Sequence, residues 1–410
     1  MGSVPDPSRV RVAGPLAPFA PGLVQELASL GYRPASAAMQ MTLTAQLSRW
    51  LLAEGVGLNS LTGPMIDRFL AERRARGVSY RCSPRALAPM LGYLRRLGAV
   101  PPPAPTPAPT TAADVLLARF AVYLAEQRAL STATVGAYVH RVRPFVEEVA
   151  CPGGVDRVGL ISAGEVTAFL TARLPLMTPG KAVMTASALR SLLRFLHAEA
   201  MTETALAGAV PAVASHRLAG LPEPLTAVQV RSLLAACDDS TGVGRRDLAV
   251  MLLMCRLGLR CAEVAALRLD DLDWTGGTVT VHGKSGRIDR MPLPTDVGHV
   301  LVAYLCEGRP DSQARTVFVR AVAPFTPLLP TSVSRIVARA AQRAGLGTVH
   351  GHRLRHTAAT ETVNAGASLE EVAQLLRHDG VATTVIYAKT DLNRLARLAR
   401  PWPTGTAATR

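Results

Sequence analysis

The chain has almost no lysine. Of its 45 basic residues 42 are arginine, and lysine stands only at Lys181, Lys284 and Lys389. Cysteine is sparse too: Cys82, Cys151, Cys237, Cys255, Cys261 and Cys306 are scattered, with no C-x-x-C pair among them. That scatter reads as reduced cytosolic thiols, mostly core filler. Long apolar runs are also missing. The longest, "LAVMLLMC", has 8 residues, against ~20 for a membrane span. The opening "MGSVPDPSRVRVAGPL" lacks the unbroken apolar stretch of a secretory signal. We expect a protein of the prokaryotic cytoplasm, with no membrane partner.

Positive charge is in excess. The net charge is +15 and the pI is about 10.4, which points to a polyanionic partner, with nucleic acid first and a membrane surface second. The preference for arginine over lysine is also what a GC-rich genome produces, so charge alone does not decide the partner.

A length of 410 residues suits two or three domains of roughly 100–200 residues each. "PPPAPTPAPTTA" (101–112) has the composition of a stiff, extended linker. A weaker break lies at "AVASHRLAGLPEPLT" (212–226), before a new helical pattern starts at Thr226. Two segments ahead of that break resemble each other. "SLTGPMIDRFLAERRA" (60–75) aligns with "LISAGEVTAFLTARLP" (160–175) at an offset of 100, pairing Leu61 with Ile161, Phe69 with Phe169, Leu70 with Leu170 and Arg73 with Arg173. "MLGYLRRLG" (90–98) matches "LLRFLHAEA" (192–200) at an offset of 102. Apolar residues recur at helical spacing in both, so both read as small helical bundles. Duplication explains the ordered matches; the alternative is that any two Ala/Leu/Arg-rich bundles look alike.

The remainder mixes helices with a little β structure. "RRDLAVMLLMCRLGLRCAEVAAL" reads as helix with Gly258 as a break, and "GTVTVHGKSGRIDRMPLP" (277–294) as two strands around "GKSG". "VFVR" (317–320) suggests a third strand. Ser368 and Glu371 form a capping box for a helix ending near His378, with Gly380 as its stop. The expected class is therefore mainly α with a small β-hairpin. The expected parts are a helical module over 1–100, a linker at 101–111, a second module over 112–205, an α+β domain over 222–400 and a tail at 401–410.

Titratable residues crowd into "HGHRLRHTAAT" (350–360), whose first seven residues hold three histidines and two arginines. On a helix His352, Arg355 and His356 share one face. His378 follows in "LLRHDG", and Tyr387 nine residues later in "TTVIYAKTD"; upstream stand Arg260 in "GLRCAEV" and Lys284 in "HGKSG". This set resembles the tyrosine recombinase (phage integrase) family. The family's pattern is an arginine in G-L-R-x-x-E, a lysine in a β-hairpin, H-x-L-R-H, an L-G-H-like tripeptide and a tyrosine nine residues on. Arg260, Lys284, His352 with Arg355, His378 and Tyr387 occupy those places, and Glu263 matches the acidic residue of the first motif. The 24 residues from Arg260 to Lys284 are a spacing typical of bacterial members. One position departs: Arg377 stands where the family has glycine. A helical position would tolerate that.

The resemblance implies a site-specific recombinase or integrase. Its helical, SAM-like core-binding domain (112–205) and catalytic domain (222–400) would clamp duplex DNA. It would act as a tetramer on synapsed DNA, monomeric or dimeric when free, without cofactor or metal, on a mobile element or chromosomal site. The chemistry accounts for the residue types. Two guanidiniums, Arg260 and Arg355, would clamp the phosphate oxygens. Tyr387 would attack and give a 3′-phosphotyrosine. His352 and His378 would exchange protons near neutrality. Lys284 would protonate the leaving 5′ oxygen, which an arginine gives up too reluctantly to do. Glu263 would orient Arg260, and His356 would sit behind the site. Arg353, Arg377 and Lys389 would face solvent or the DNA backbone. "TDLNRLARLARPW" (390–402) is amphipathic and would dock on a neighbouring protomer or on its own domain. Three other readings compete: a type IB topoisomerase, a non-catalytic DNA-binding relative, and a zinc hydrolase using His352, His356 and His378. The last lacks the H-E-x-x-H glutamate, since Arg353 stands there.

Overall fold

Proline opens and glycine closes most helices of the first hundred residues. A computed structural model describes residues 5–103, 111–154, 156–213, 223–283 and 286–377. It places α1 at Ala20–Ser29, α2 at Pro34–Ala53, α3 at Gly63–Ala75 and α4 at Pro84–Arg96. Each has proline in its first turn, where the missing N–H costs nothing. Just past their ends Gly31, Gly55, Gly77 and Gly98 take positive φ and stop them. The four helices close on an apolar core that includes Leu27, Leu47, Leu51, Leu70 and Leu94.

A second set begins at Ala112: α5 Ala112–Glu126, α6 Thr132–Phe145, α7 Ala163–Arg173 and α8 Pro179–Ala198. Thr111, Ser131 and Ser162 cap three of them through their side-chain oxygens, satisfying N–H groups that a helix start leaves open. Their core includes Phe120, Phe145, Leu170, Leu192 and Phe195. The two modules match in detail at the offset of 100. A 3-10 turn comes directly before the third helix in each, Leu58–Ser60 and Val158–Leu160. Leu61 and Ile161, Ile66 and Val166, and Leu70 and Leu170 are all buried. Arg73 lies over the Phe69 ring at 5.8 Å and Arg173 over Phe169 at 4.7 Å. Arg73 donates to Gln46 of α2, and Arg173 to Glu148 in the π turn that continues α6.

The third region carries α9 Ala227–Ala235, α10 Gly242–Arg256, α11 Cys261–Ala266, α12 Thr295–Ala303, α13 Pro330–Arg343, α14 Gly351–Asn364 and α15 Leu369–Leu376. Its antiparallel sheet runs β1–β2–β3, with β1 at Leu272–Asp273, β2 at Thr278–His282 and β3 at Ile288–Pro292. Thr280 stands opposite Arg290, and Val279 and Val281 point into the core. The chain is thus mostly helical with a small sheet, as its sequence indicates. Residues 317–320 are not the third strand. Val317, Phe318 and Val319 are fully buried, but only the isolated bridges Arg268–Thr316 and Val319–Pro327 form there. Pro324 and Pro327 remove ladder donors from the facing segment, and β1 takes the third place.

By contacts the chain divides into two units, Ala104–Leu221 and the combination of Met1–Pro103 with Pro222–Arg410. Within the second unit the Phe325 ring covers Gly31, where a Cβ would lie 2.0 Å from the ring. Tyr32, Arg33, Gln40, Arg81 and Val322 line a cleft of about 820 Å³ there. Among the described residues, none of the candidate catalytic ones borders it. Among the described residues no helix is long and apolar enough to cross a membrane.

Candidate active site

The first motif begins where α10 breaks. Gly258 takes φ +58°, and a Cβ on it would lie 2.8 Å from Leu376 Cδ2. Glycine therefore serves twice here: it permits the turn and it admits the end of α15. Arg260 follows as the residue capping α11. Glu263, one turn on, reaches back to it. Glu263 Oε2 accepts the Arg260 backbone N–H at 2.8 Å, and Oε1 accepts from the Arg260 guanidinium at 2.5 Å. Glu263 is buried and Arg260 is half-buried. The guanidinium is thereby aimed by a fixed carboxylate.

The second motif is the start of α14. Gly351 lets that start close on the start of α11, since a Cβ would lie 2.5 Å from Cys261 Sγ and 2.8 Å from Met254 Cε. One turn on, Arg355 is 4% exposed. Its guanidinium donates to the Gly258 carbonyl at 2.6 Å and to the Leu376 carbonyl. These partners are 97 and 21 residues away in sequence. Arg355 thus ties the break before α11 and the end of α15 to α14. Thr357, on the same helix, accepts the Leu225 N–H at 2.9 Å, and Arg353 donates to the Glu223 carbonyl at 2.8 Å, so the entry to this region is fastened to α14 as well.

His352 sits at the solvent edge of α14. Partial burial of the ring lowers its pKa below the usual imidazole value of 6.5, and the charges of Arg355 and then Arg260 lower it further. The lowered pKa favours the neutral ring at pH 7. His356 is buried, and burial lowers its pKa too. Burial alone would raise the Glu263 carboxyl. The Arg260 N–H, the Arg377 charge and the Arg260 guanidinium outweigh that and hold it below its ordinary value.

Arg377 is not the surface residue that its charge suggests. It is 3% exposed and pairs with Glu263 Oε2 at 2.8 Å. Nor is its position helical. α15 ends at Leu376, and Arg377 takes φ 53°, ψ 51°, the left-handed conformation just past a helix end. The helix therefore stops before His378 and does not wait for Gly380, although Ser368 and Glu371 open it with the expected capping box. A signal for this exists in the sequence. A family glycine after a helical run is the ordinary mark of a left-handed C-terminal cap, and whatever replaces it must adopt that conformation.

Arg260, Glu263, His352, Arg355 and His356 are thus placed, with Glu263 and Arg355 as the bonds between segments. Lys284, His378, Tyr387 and the 390–402 segment lie outside the described residues. The hairpin that carries Lys284 closes through the Gly283 N–H on the Arg287 carbonyl at 2.7 Å, and His282 bonds Asp271 at 2.9 Å. Among the described residues no group of three His, Cys, Asp or Glu side chains gathers as a metal site would.

Comparison with known proteins adds to this geometry. Residues 223–394 match the phage integrase family, and residues 117–203 match the phage integrase N-terminal SAM-like domain. The integrase/recombinase y4rA of Sinorhizobium fredii is 35% identical over 393 residues, 95% of each chain. Tyrosine recombinase XerD of Mycobacterium tuberculosis is 32% identical over 293 residues, covering 67% of this chain and 92% of that one. Among solved structures, XerH recombinase bound to its palindromic difH substrate in a post-cleavage complex superposes with a TM-score of 0.56 at 18% identity, covering 83% of this chain and 98% of that one. A λ integrase dimer bound to a core site gives 0.54 at 19% identity, over 78% and 89%. The last two speak to the fold; the first two, over most of their length, settle the kinship. The chain belongs to the phage integrase family of tyrosine recombinases, enzymes that cut and rejoin DNA.

Proposed function

We propose that this recombinase cuts each DNA strand by attack of Tyr387 on the scissile phosphate, leaving a 3′-phosphotyrosine and a free 5′-hydroxyl. The observation that best supports this is the approach of two motifs about 95 residues apart: the charges of Arg355 and Arg260 both reach the His352 ring, Arg355 is bonded to the Gly258 carbonyl, and Arg260 is held by the buried Glu263. Three cationic or proton-bearing groups of that kind suit a pentavalent phosphorane, whose equatorial oxygens carry more negative charge than the ground state. Arg260 clamps one oxygen. Arg355 supplies the second positive charge while fixing the site's backbone. Neutral His352 donates its N–H to a phosphate oxygen or accepts the phenol proton. Lys284 protonates the 5′ oxygen as it leaves, and His378 completes the set. The phosphotyrosine bond conserves the energy of the broken link, so religation needs no ATP.

The same reading assigns the domains. Residues 112–205 and 222–400 grip the duplex, four protomers act on two synapsed sites of a mobile element or chromosome, and the work takes place in the cytoplasm. Residues 1–100 are a diverged duplicate of the core-binding module, as the paired burial and the two arginine–phenylalanine contacts support. Charge suggests what it does. The first 103 residues hold 12 arginines against five acidic residues, a net +7, whereas residues 104–221 hold ten basic against eight acidic, a net +2. The extra module is therefore a second DNA contact, binding backbone phosphates in a salt-dependent way.

The target sequence can be found within the experiment itself. Duplexes that bind the wild-type protein are selected from a random library, and a nick is placed near the centre so that cleavage cannot reverse. Wild type should form an SDS-stable protein–DNA adduct. Tyr387→Phe should bind the same duplex and form none. An adduct from the phenylalanine variant would refute the assignment.

A further inference from the structure

Arg377 carries three local penalties at once. It stands at φ 53°, ψ 51°, a conformation that glycine takes freely and a side chain resists. Its guanidinium is withdrawn from water, which is costly for any ion. Its Nε–H is buried with no acceptor among the described residues. Glycine at this position would remove all three. A residue this unfavourable to its own surroundings points to a role other than stability.

What it touches shows that role. Nη2 donates at 2.8 Å to Glu263 Oε2, the same oxygen that takes the Arg260 backbone N–H. Nη1 donates to the Leu375 carbonyl at 2.9 Å and contacts Met291 Sδ at 2.8 Å, so the side chain is tied at both ends of its fork. The other oxygen of Glu263 takes the Arg260 guanidinium at 2.5 Å. Two guanidiniums therefore share one carboxylate. Without Arg377 the whole negative charge of Glu263 would fall on Arg260, and a guanidinium neutralised at that distance attracts a phosphate less.

We infer that Arg377 is a positioning residue for strand cleavage: it engages the Glu263 carboxylate so that Arg260 meets the scissile phosphate with its charge largely uncompensated. This rests on the cleavage reading above. It also makes the residue before His378 part of the machinery that sets the rate.

The test is single-turnover adduct formation on the selected nicked duplex, with duplex affinity and thermal melting measured on the same preparations. Arg377→Met fills the space without the charge. It should bind DNA as wild type does and form the adduct about 10- to 100-fold more slowly, the range seen when outer partners of a reactive group are removed. Arg377→Lys, which keeps a cation within reach of Glu263, should recover part of that loss. The decisive variant is the double Glu263→Gln/Arg377→Met. Glutamine still accepts the Arg260 N–H but no longer neutralises the guanidinium, so the double variant should cleave faster than Arg377→Met alone. If Arg377→Met melts below the assay temperature, Arg377→Gly replaces it, because glycine relieves the left-handed backbone. Adduct formation by Arg377→Met within threefold of wild type would overturn the inference, as would a double variant no faster than the single one, which would leave Arg377 a packing residue. If wild type forms no adduct on any selected duplex, the cleavage reading itself fails first; if wild type cleaves and the charge rescue is absent, only this inference falls.

Discussion

Replacing Arg355 by alanine should damage the fold and the chemistry together, and the two losses can be separated. In the folded chain its guanidinium satisfies the carbonyls of Gly258 and Leu376, in a place 4% exposed to water. Leaving a buried acceptor unpaired costs about 1–3 kcal/mol. Two of them, with water entering to relieve part of the penalty, give roughly 2–5 kcal/mol. For a body of this size each kilocalorie moves the melting temperature by about 2–4 °C, so Arg355→Ala should melt roughly 4–20 °C below wild type. Arg355→Lys should fall between, since an ammonium lacks the planar fork that reaches both carbonyls. Arg260→Ala is the control. Its guanidinium bonds a carboxylate that keeps Arg377 as a second partner, so its melting should change little while its adduct rate drops by about 10²–10³. Melting is followed by far-ultraviolet circular dichroism, and adduct formation on the nicked duplex is measured well below each midpoint. An Arg355→Ala variant that melts within about 2 °C of wild type, the smallest shift expected per kilocalorie, would show that the two carbonyls do not depend on the arginine, and the account of how the motifs are joined would fail.

Lys284→Ala should cleave about 10²–10⁴-fold more slowly. Replacing the bridging 5′ oxygen by sulfur should restore it nearly to wild type while Arg260→Ala stays slow, and an unrestored Lys284→Ala rate on that substrate would remove Lys284 as proton donor. The lowered pKa values of His352 and His356 make stability depend on pH: below pH 6.5 the unfolded chain takes up protons that the folded chain refuses, so stability present above 6.5 is lost as pH falls toward the folded values. The urea midpoint should therefore drop between about pH 7 and pH 5, and His352→Gln/His356→Gln should flatten that drop; an unchanged slope in the double variant would show that other groups carry it.

Local chemistry was legible in the sequence, and long-range placement was not. The G-L-R-x-x-E spacing puts a carboxylate one helical turn after the arginine, and Glu263 does reach back to Arg260. Ser368 and Glu371 form the expected box because both bonds close within three residues. The alternation over 277–294 folds as the β2–β3 hairpin. By contrast, nothing within one turn of Arg355 reveals that its partners are carbonyls 97 and 21 residues away. The "VFVR" segment shows the same limit from another side. Its apolar residues are buried as a strand's would be, but pairing is decided by the facing segment, where prolines interrupt the ladder.

Arg377 joins the two levels. The family's glycine at that place is steric permission: a left-handed residue ends α15. Gly258 and Gly351 give the same kind of permission where α15 and α11 approach closely. Read as motifs, these glycines look like spacing between reactive residues. Read as structure, they set how closely the three segments that bear the arginines can pack. Substituting one of them by arginine therefore does two things, straining a backbone position and introducing a charge at the point where the segments meet. The strain falls on that one backbone position. The charge lies against the carboxylate that aims Arg260, so a departure that sequence comparison scores as a mismatch falls on the residue best placed to tune the reaction.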